Sequence, residues 1–186
     1  MALRPTVYKF GINLSDLDRN VFETLNLTVA QHPSETTERM MVRVLAYCLN
    51  AEPQLEFTNG LNEPDLPDLT ARTLDGQQRL WLDVGEPAFE RIKRASRVAQ
   101  SVKIYSFNSK SGVWWQQQGP SLAALPIDVV QIPWAHAQAM AALVTRTMDW
   151  SVSIADGSAY IASPTGQCEV HWTYLHNTEP TARRGR

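Results

Sequence analysis

What this chain has little of narrows it first. Two cysteines, Cys48 and Cys168, in 186 residues are too few for a disulfide framework, and Cys48 falls on an apolar helical stripe. Both are expected as free thiols in a reducing compartment. No stretch approaches the run of about 18 apolar residues that a membrane span requires. The opening Met1-Ala2-Leu3-Arg4-Pro5-Thr6 also lacks the apolar core of a secretory leader. The expectation is a cytoplasmic protein with no membrane association. Excess positive charge is missing as well. The 17 Lys and Arg against 19 Asp and Glu give a net charge of −2, which argues against a tight, non-specific grip on duplex nucleic acid. No internal repeat or low-complexity tract is present.

The length suits one well-buried α/β domain. Residues 6–14 and 21–30 alternate apolar with polar and predict a β-hairpin. His32-Pro33-Ser34 then opens a helix, with Ser34 as N-cap, Glu35 in the first turn, and Met41, Val44, Leu45 and Cys48 at helical spacing. Glu38 stands in line with that stripe. A short strand is expected at 54–58, followed by two strands joined at Asp75-Gly76. Pro87 then starts a helix with Phe89, Ile92, Ala95 and Ala99 facing the core. The strand expected at 101–107 completes a right-handed crossover, parallel to the one before the helix.

Further on, Ser111-Gly112 reads as a turn, 127–132 as a strand and 134–147 as a helix. Three strands follow near 151–154, 159–163 and 168–175. The fold class expected is α/β, a central mixed β-sheet flanked by helices, in a single domain over 1–176. It divides into a hairpin (about 6–30), a core (about 34–107) and a β-rich part (about 113–176), with a flexible polar tail at 177–186.

The most informative stretch runs from Glu63 to Lys93. Asp75-Gly76 is a strong hairpin signal, and its commonest two-residue form pairs Leu74 with Gln77. Side chains alternate along a strand, so that register leaves Asp83 on the face of Asp68 and puts Asp65 on the other. A three-residue loop with Gly76 left-handed pairs Thr73 with Gln77 instead. Asp65 then lies diagonal to Asp83, at roughly 7–8 Å along the backbone. The second register is preferred, because it gathers Leu80, Leu82 and Val84 on one buried face while Asp83 points the other way.

Two carboxylates at adjoining strand ends, a glutamate on the preceding helix and a lysine on the following one suit metal-dependent phosphodiester hydrolysis. A hard cation polarises the phosphoryl oxygen and activates water, and Mg²⁺ or Mn²⁺ takes oxygen ligands. On this reading Asp65, Asp83 and the Val84 carbonyl hold the metal. Glu35 or Glu38 contributes from the helix, and Lys93 steadies charge on the phosphate. At about 100° per residue Lys93 falls at the border of the buried face, whereas Arg94 points away. Each residue also has a plainer explanation: Asp65 shapes a turn after Pro64, Asp83 caps a loop, Glu38 pairs with Arg39 or Arg43, and Lys93 is a solvated charge.

The segments E-P-D-L (63–66), W-L-D-V-G-E-P (81–87), R-x-K-R-A (91–95) and V-K-I-Y (102–105) closely resemble the YaeQ family of bacterial proteins. So do H-P-S-E-T (32–36) and E-R-M-M-V-R-V-L-A-Y (38–47). That family resembles a variant of the PD-(D/E)XK nuclease superfamily, whose core is helix, three strands, helix, strand. The resemblance implies a nuclease-like core, Mg²⁺ or Mn²⁺ as cofactor, nucleic acid as partner, and Asp65 as the acid of the Pro-Asp dipeptide, with Pro67-Asp68 as the alternative. Where the superfamily has D-x-K, this chain has Asp83-Val84-Gly85, so the lysine is transferred to Lys93, with Arg94 as its neighbour. The alternative function is a catalytically silent module that keeps the scaffold and acts by protein or nucleic-acid contact, for instance in transcription.

Overall fold

The computed structural model describes residues 4–178. Strict alternation builds its first hairpin: β1 (Thr6–Asp16) buries Phe10, Ile12 and Leu14, and β2 (Val21–Gln31) buries Leu25, Leu27 and Val29. The two strands pair antiparallel from Thr6 opposite Gln31 to Asp16 opposite Val21. The elements that follow are α1 (Thr37–Leu49), β3 (Leu55–Phe57), β4 (Leu69–Arg72), β5 (Gln78–Val84), α2 (Phe89–Val98) and β6 (Ser101–Ser106). After them come α3 (Ser111–Leu122), β7 (Asp128–Gln131), α4 (Trp134–Ala141), β8 (Thr147–Ala155), β9 (Ser158–Ser163), β10 (Gly166–His171) and β11 (Thr173–His176).

These strands form two mixed sheets: the additional N- and C-terminal strands expected beside the central sheet build a second one with each other. The first runs β10-β9-β8-β1-β2, because β8 pairs parallel to β1 and ties the C-terminal strands to the N-terminal hairpin. The second runs β11-β7-β6-β5-β4-β3. In it β3, β4 and β5 are antiparallel, and β5, β6 and β7 are parallel. After α2, β6 returns parallel to β5, as expected. The strand expected over 168–175 is interrupted at Trp172, whose N–H goes to Gly157 O, and β11 crosses to pair with β7.

The two sheets explain the composition of α1. Met40 to Ala46 and Cys48 are all buried, more than the single stripe read from spacing. They pack in one cluster with Ile12 and Leu27 of the first sheet and Leu69, Leu82 and Val84 of the second, so α1 is sandwiched between the sheets. The other face of the second sheet carries Trp81, Val102, Ile104 and Val129 against Ile92 and Ala95 of α2 and Leu122 of α3.

Three local readings change. The segment from Ser111 is a helix and not a turn, α4 stops at Ala141, and β8 starts at Thr147. Leu143 and Val144 close α4 with tight bonds to Met140 O and Ala141 O before the β-branched run Val144-Thr145. At the expected tail, Thr178 bonds Asp128 through both its N–H and its hydroxyl, and 179–186 lie outside the described residues.

Candidate functional site

The site begins in the turn before α1. The helix is capped by Thr36, whose side chain accepts from Arg39 N at 3.2 Å. Ser34, the expected cap, is engaged with His32 Nδ1 at 2.6 Å. Glu35 N donates to His32 O, and this turn aims the Glu35 carboxylate inward, where its side chain is 0% exposed. Arg43 meets it through Nε at 2.7 Å and Nη2 at 2.6 Å, and Arg39 Nη1 lies at 2.9 Å. Arg43 also donates to Ala30 O and covers the Phe57 ring.

The loop between β4 and β5 takes the expected three-residue form. Gly76 has φ +84°, Thr73 N donates to Gln77 O, and Gly76 N donates to Thr73 O. The register then slips between Ala71 and Arg72, so that Leu69 faces Leu82. That irregularity changes which acid arrives at the end of β5. Asp68, just before β4, donates its N–H to Leu82 O at 3.0 Å and accepts from Val84 N at 2.8 Å. Asp65 stays in the loop. Arg91 grips the carbonyls of Pro64 and Leu66 on either side of it, and the Asp65 side chain is 86% exposed, with Arg94 at 3.2 Å.

Asp83 is buried, on the face opposite Leu82 and Val84 as its alternation requires. Its partner is Arg91 from the first turn of α2, through Nε at 2.7 Å and Nη2 at 2.9 Å, a bidentate pair. The same guanidinium lies over the Trp81 ring, whose buried Nε1 has no hydrogen-bond partner among the described residues. Lys93 lies over Phe89, with Nζ 5.7 Å from the ring centre. Glu38 is half-buried. The structure therefore gathers Glu35, Asp68 and the Val84 carbonyl with Arg39 and Arg43, and holds Asp83 with Arg91 as a neighbouring pair on the other face of the sheet. Asp65 and Lys93 are not among the groups these contacts join. The signal that sequence reasoning passed over is the pair Arg39 and Arg43, four apart on α1 and so neighbours on one helical face, directly after Glu35.

Arg39 is the centre of this cluster. Its Nη2 lies 2.8 Å from each carboxylate oxygen of Asp68 and 3.1 Å from Val84 O. A guanidinium nitrogen thus occupies the point where an aspartate and a strand-end carbonyl converge. Burial works against the charge on Arg39, but Asp68 and Glu35 outweigh it and raise its pKa. Arg91 is likewise opposed by burial yet raised by its hydrogen bonds to Asp83 and by the charges of Asp83 and Asp68, with Arg39 opposing. Burial also raises Glu86, against hydrogen bonds from Asn108 and the charge of Arg39.

Three carboxylates facing three guanidiniums leave little net negative charge for a divalent cation. Among the described residues no group of three or more His, Cys, Asp or Glu side chains comes together to hold a metal ion. The side chains in this arrangement do not fit Mg²⁺ or Mn²⁺, which bind free carboxylate oxygens. A cleft of about 200 Å³ opens beside the cluster, bounded by Thr28, Ala30, His32, Arg39, Asn59 and Asn62. Among the described residues no helix is long and apolar enough to cross a membrane.

Comparison with known proteins extends over nearly the whole chain. The family described as YaeQ protein matches residues 1–172. The uncharacterized protein YaeQ of Escherichia coli (strain K12) is 37% identical over 175 residues, covering 93% of this chain and 97% of that one. Its counterpart in Salmonella typhi is 36% identical over the same length and coverage. The crystal structure of YaeQ protein from Xanthomonas axonopodis pv. citri superposes with a TM-score of 0.90 at 31% identity, covering 93% of this chain and 99% of that one. The crystal structure of YaeQ protein from Pseudomonas syringae gives 0.89 at 35% identity, with 93% and 97% coverage. This chain belongs to the YaeQ family.

Proposed function

We propose that the protein is a PD-(D/E)XK nuclease-like module that binds a nucleic-acid strand or end in the cleft beside α1 without hydrolysing it. The scaffold half of this reading is supported by element order. A helix (α1), three antiparallel strands (β3, β4, β5), a crossover helix (α2) and a parallel strand (β6) follow one another, with Pro67-Asp68 leading into the middle strand and Asp83 near the end of the next. The observation that carries the non-hydrolytic half is Arg39 Nη2 bonded to both oxygens of Asp68 and to Val84 O. A fixed cation already neutralises the donors that a catalytic metal would need.

The cleft wall supplies polar groups suited to a phosphodiester strand. Asn59 and Asn62 offer exposed amides at its mouth, and Arg39 and Arg43 lie at its floor. Its modest volume and the net charge of −2 favour a single strand or an end over a duplex.

The test is fluorescence anisotropy with single-stranded DNA and RNA oligonucleotides, run beside cleavage assays in Mg²⁺ and Mn²⁺. The expected result is binding with a shallow salt dependence, weakened by Asn59→Ala with Asn62→Ala, and intact oligonucleotide throughout. Absence of binding to every oligonucleotide overturns the reading.

A second reading is hydrolysis that starts when Arg39 leaves its seat. It is favoured by the convergence of Asp68 and Val84 O on one point. Metal-dependent cleavage that disappears in Asp83→Asn would establish it in place of the first.

A further inference from the structure

We propose that β2 is a self-association edge, pairing antiparallel with β2 of a second copy of this chain to join two five-stranded sheets across a twofold axis. The strand ends its sheet, and its 11 residues are paired on one side only, to β1. A long unpaired edge is normally blunted by lysine, proline or a bulge. The sequence of β2, V-F-E-T-L-N-L-T-V-A-Q, contains neither residue, and its register with β1 runs without interruption.

Which backbone groups face outward follows from the neighbouring strand. Lys9 N donates to Arg146 O, away from β2, and Lys9 stands opposite Thr28. Thr28 therefore turns its own N–H and C=O away from β1, and alternation assigns the same direction to Phe22, Thr24, Asn26 and Ala30. Arg43 occupies Ala30 O, in agreement with that assignment. Among the described residues, the outward groups of residues 22–28 make no other backbone hydrogen bond.

The strand is self-complementary about Asn26. A twofold axis there sets Asn26 against its own copy, Thr24 against Thr28, and Phe22 against Ala30. Leu25 meets Leu27, which extends the buried face of each sheet. Paired threonines and paired amides stabilise adjoining strands, and the only charged residue, Glu23, meets Val29 and not a like charge. Phe22, 59% exposed in the single chain, gains cover beside Ala30 at the cleft wall.

Analytical ultracentrifugation of the full chain over a concentration series reads this directly. The expected result is a reversible dimer. Asn26→Pro removes an outward N–H that β1 does not use, and Asn26→Lys sets two like charges face to face across the axis. Each should weaken dimerisation by about tenfold or more with the thermal transition of the monomer retained. Asp149→Lys, on the same sheet face but two strands inward, should leave the dimer unchanged.

Register is read by cysteine cross-linking in a Cys168→Ser background. Opposed residues of a hydrogen-bonded pair lie about 5.5 Å apart at Cα, within disulfide reach, so Asn26→Cys should link to itself. Thr24→Cys should link to Thr28→Cys in a mixture, and neither to itself. A chain that stays monomeric at its highest soluble concentration overturns the proposal. So does a dimer indifferent to both Asn26 variants, or one in which Thr24→Cys links to itself as readily as Asn26→Cys.

Discussion

Two acid–arginine pairs draw their arginines from one helix, three residues apart, and behave as opposites. Asp83 and Arg91 meet at a sheet end with the carboxylate 3% exposed, whereas Asp65 and Arg94 meet in solvent with side chains 86% and 59% exposed. Both pairs bring one acid from the β4–β5 region to one arginine of α2. Only the first is held by a strand, stacks on Trp81 and fixes a loop through the carbonyls of Pro64 and Leu66. Burial, more than the presence of opposite charges, makes such a pair structural: water screens an exposed pair to near irrelevance, and a buried charge deprived of its partner is stranded.

The same rule predicts its largest effect at a third pair, Glu35 with Arg43, which is more buried than either. Glu35→Ala strands Arg43 beneath the sheet, and urea denaturation should report a loss of about 3–5 kcal/mol. Asp83→Asn should cost less, about 1–3 kcal/mol by the same measurement, because Arg91 is 24% exposed and can rehydrate. Asp65→Asn should fall within about 0.5 kcal/mol of the parent. An Asp65 effect as large as that of Asp83 would end the distinction.

A fourth and smaller effect concerns pH. Burial raises the Glu86 pKa in the folded state, so the folded chain holds a proton that the unfolded chain has released. Stability should therefore fall as pH rises from the ordinary glutamate range through the folded value. Glu86→Gln should flatten that slope in urea midpoints measured against pH.

Much of this was legible beforehand, for identifiable reasons. Alternation in β1 and β2, the helical period of α1 and the strand–helix–strand run from β5 to β6 are local patterns, and each element lies where its pattern put it, save that α1 starts two residues later than expected, capped by Thr36 and not Ser34. The Gly76 loop was legible from Asp75-Gly76. The slip between Ala71 and Arg72 was not, because an irregularity within a ladder leaves no compositional mark, and it decided between Asp65 and Asp68. Alternation put Asp83 on the face away from Leu82 and Val84, but α2 and α3 cover that face too and bury it; its partner there is Arg91 and not Lys93, since a bidentate planar group matches a carboxylate where an ammonium does not. The second sheet was hidden for another reason. The parallel pairing of β1 with β8 joins segments more than a hundred residues apart, and nothing in either strand names its neighbour.

Arg39 Nη2 holds the point where Asp68 and the Val84 carbonyl converge, and on the proposed reading it stands in for a catalytic cation there. Calorimetric titration of Mn²⁺ into the parent chain and into Arg39→Met tests that reading, with circular dichroism and a thermal melt to establish that the variant folds: Glu35 keeps Arg43, but Asp68 loses its cation. The account predicts no specific binding by the parent, and binding by Arg39→Met that is lost again when Asp68→Asn is added. Stoichiometric Mn²⁺ binding by the parent chain, abolished by Asp68→Asn alone, would contradict it.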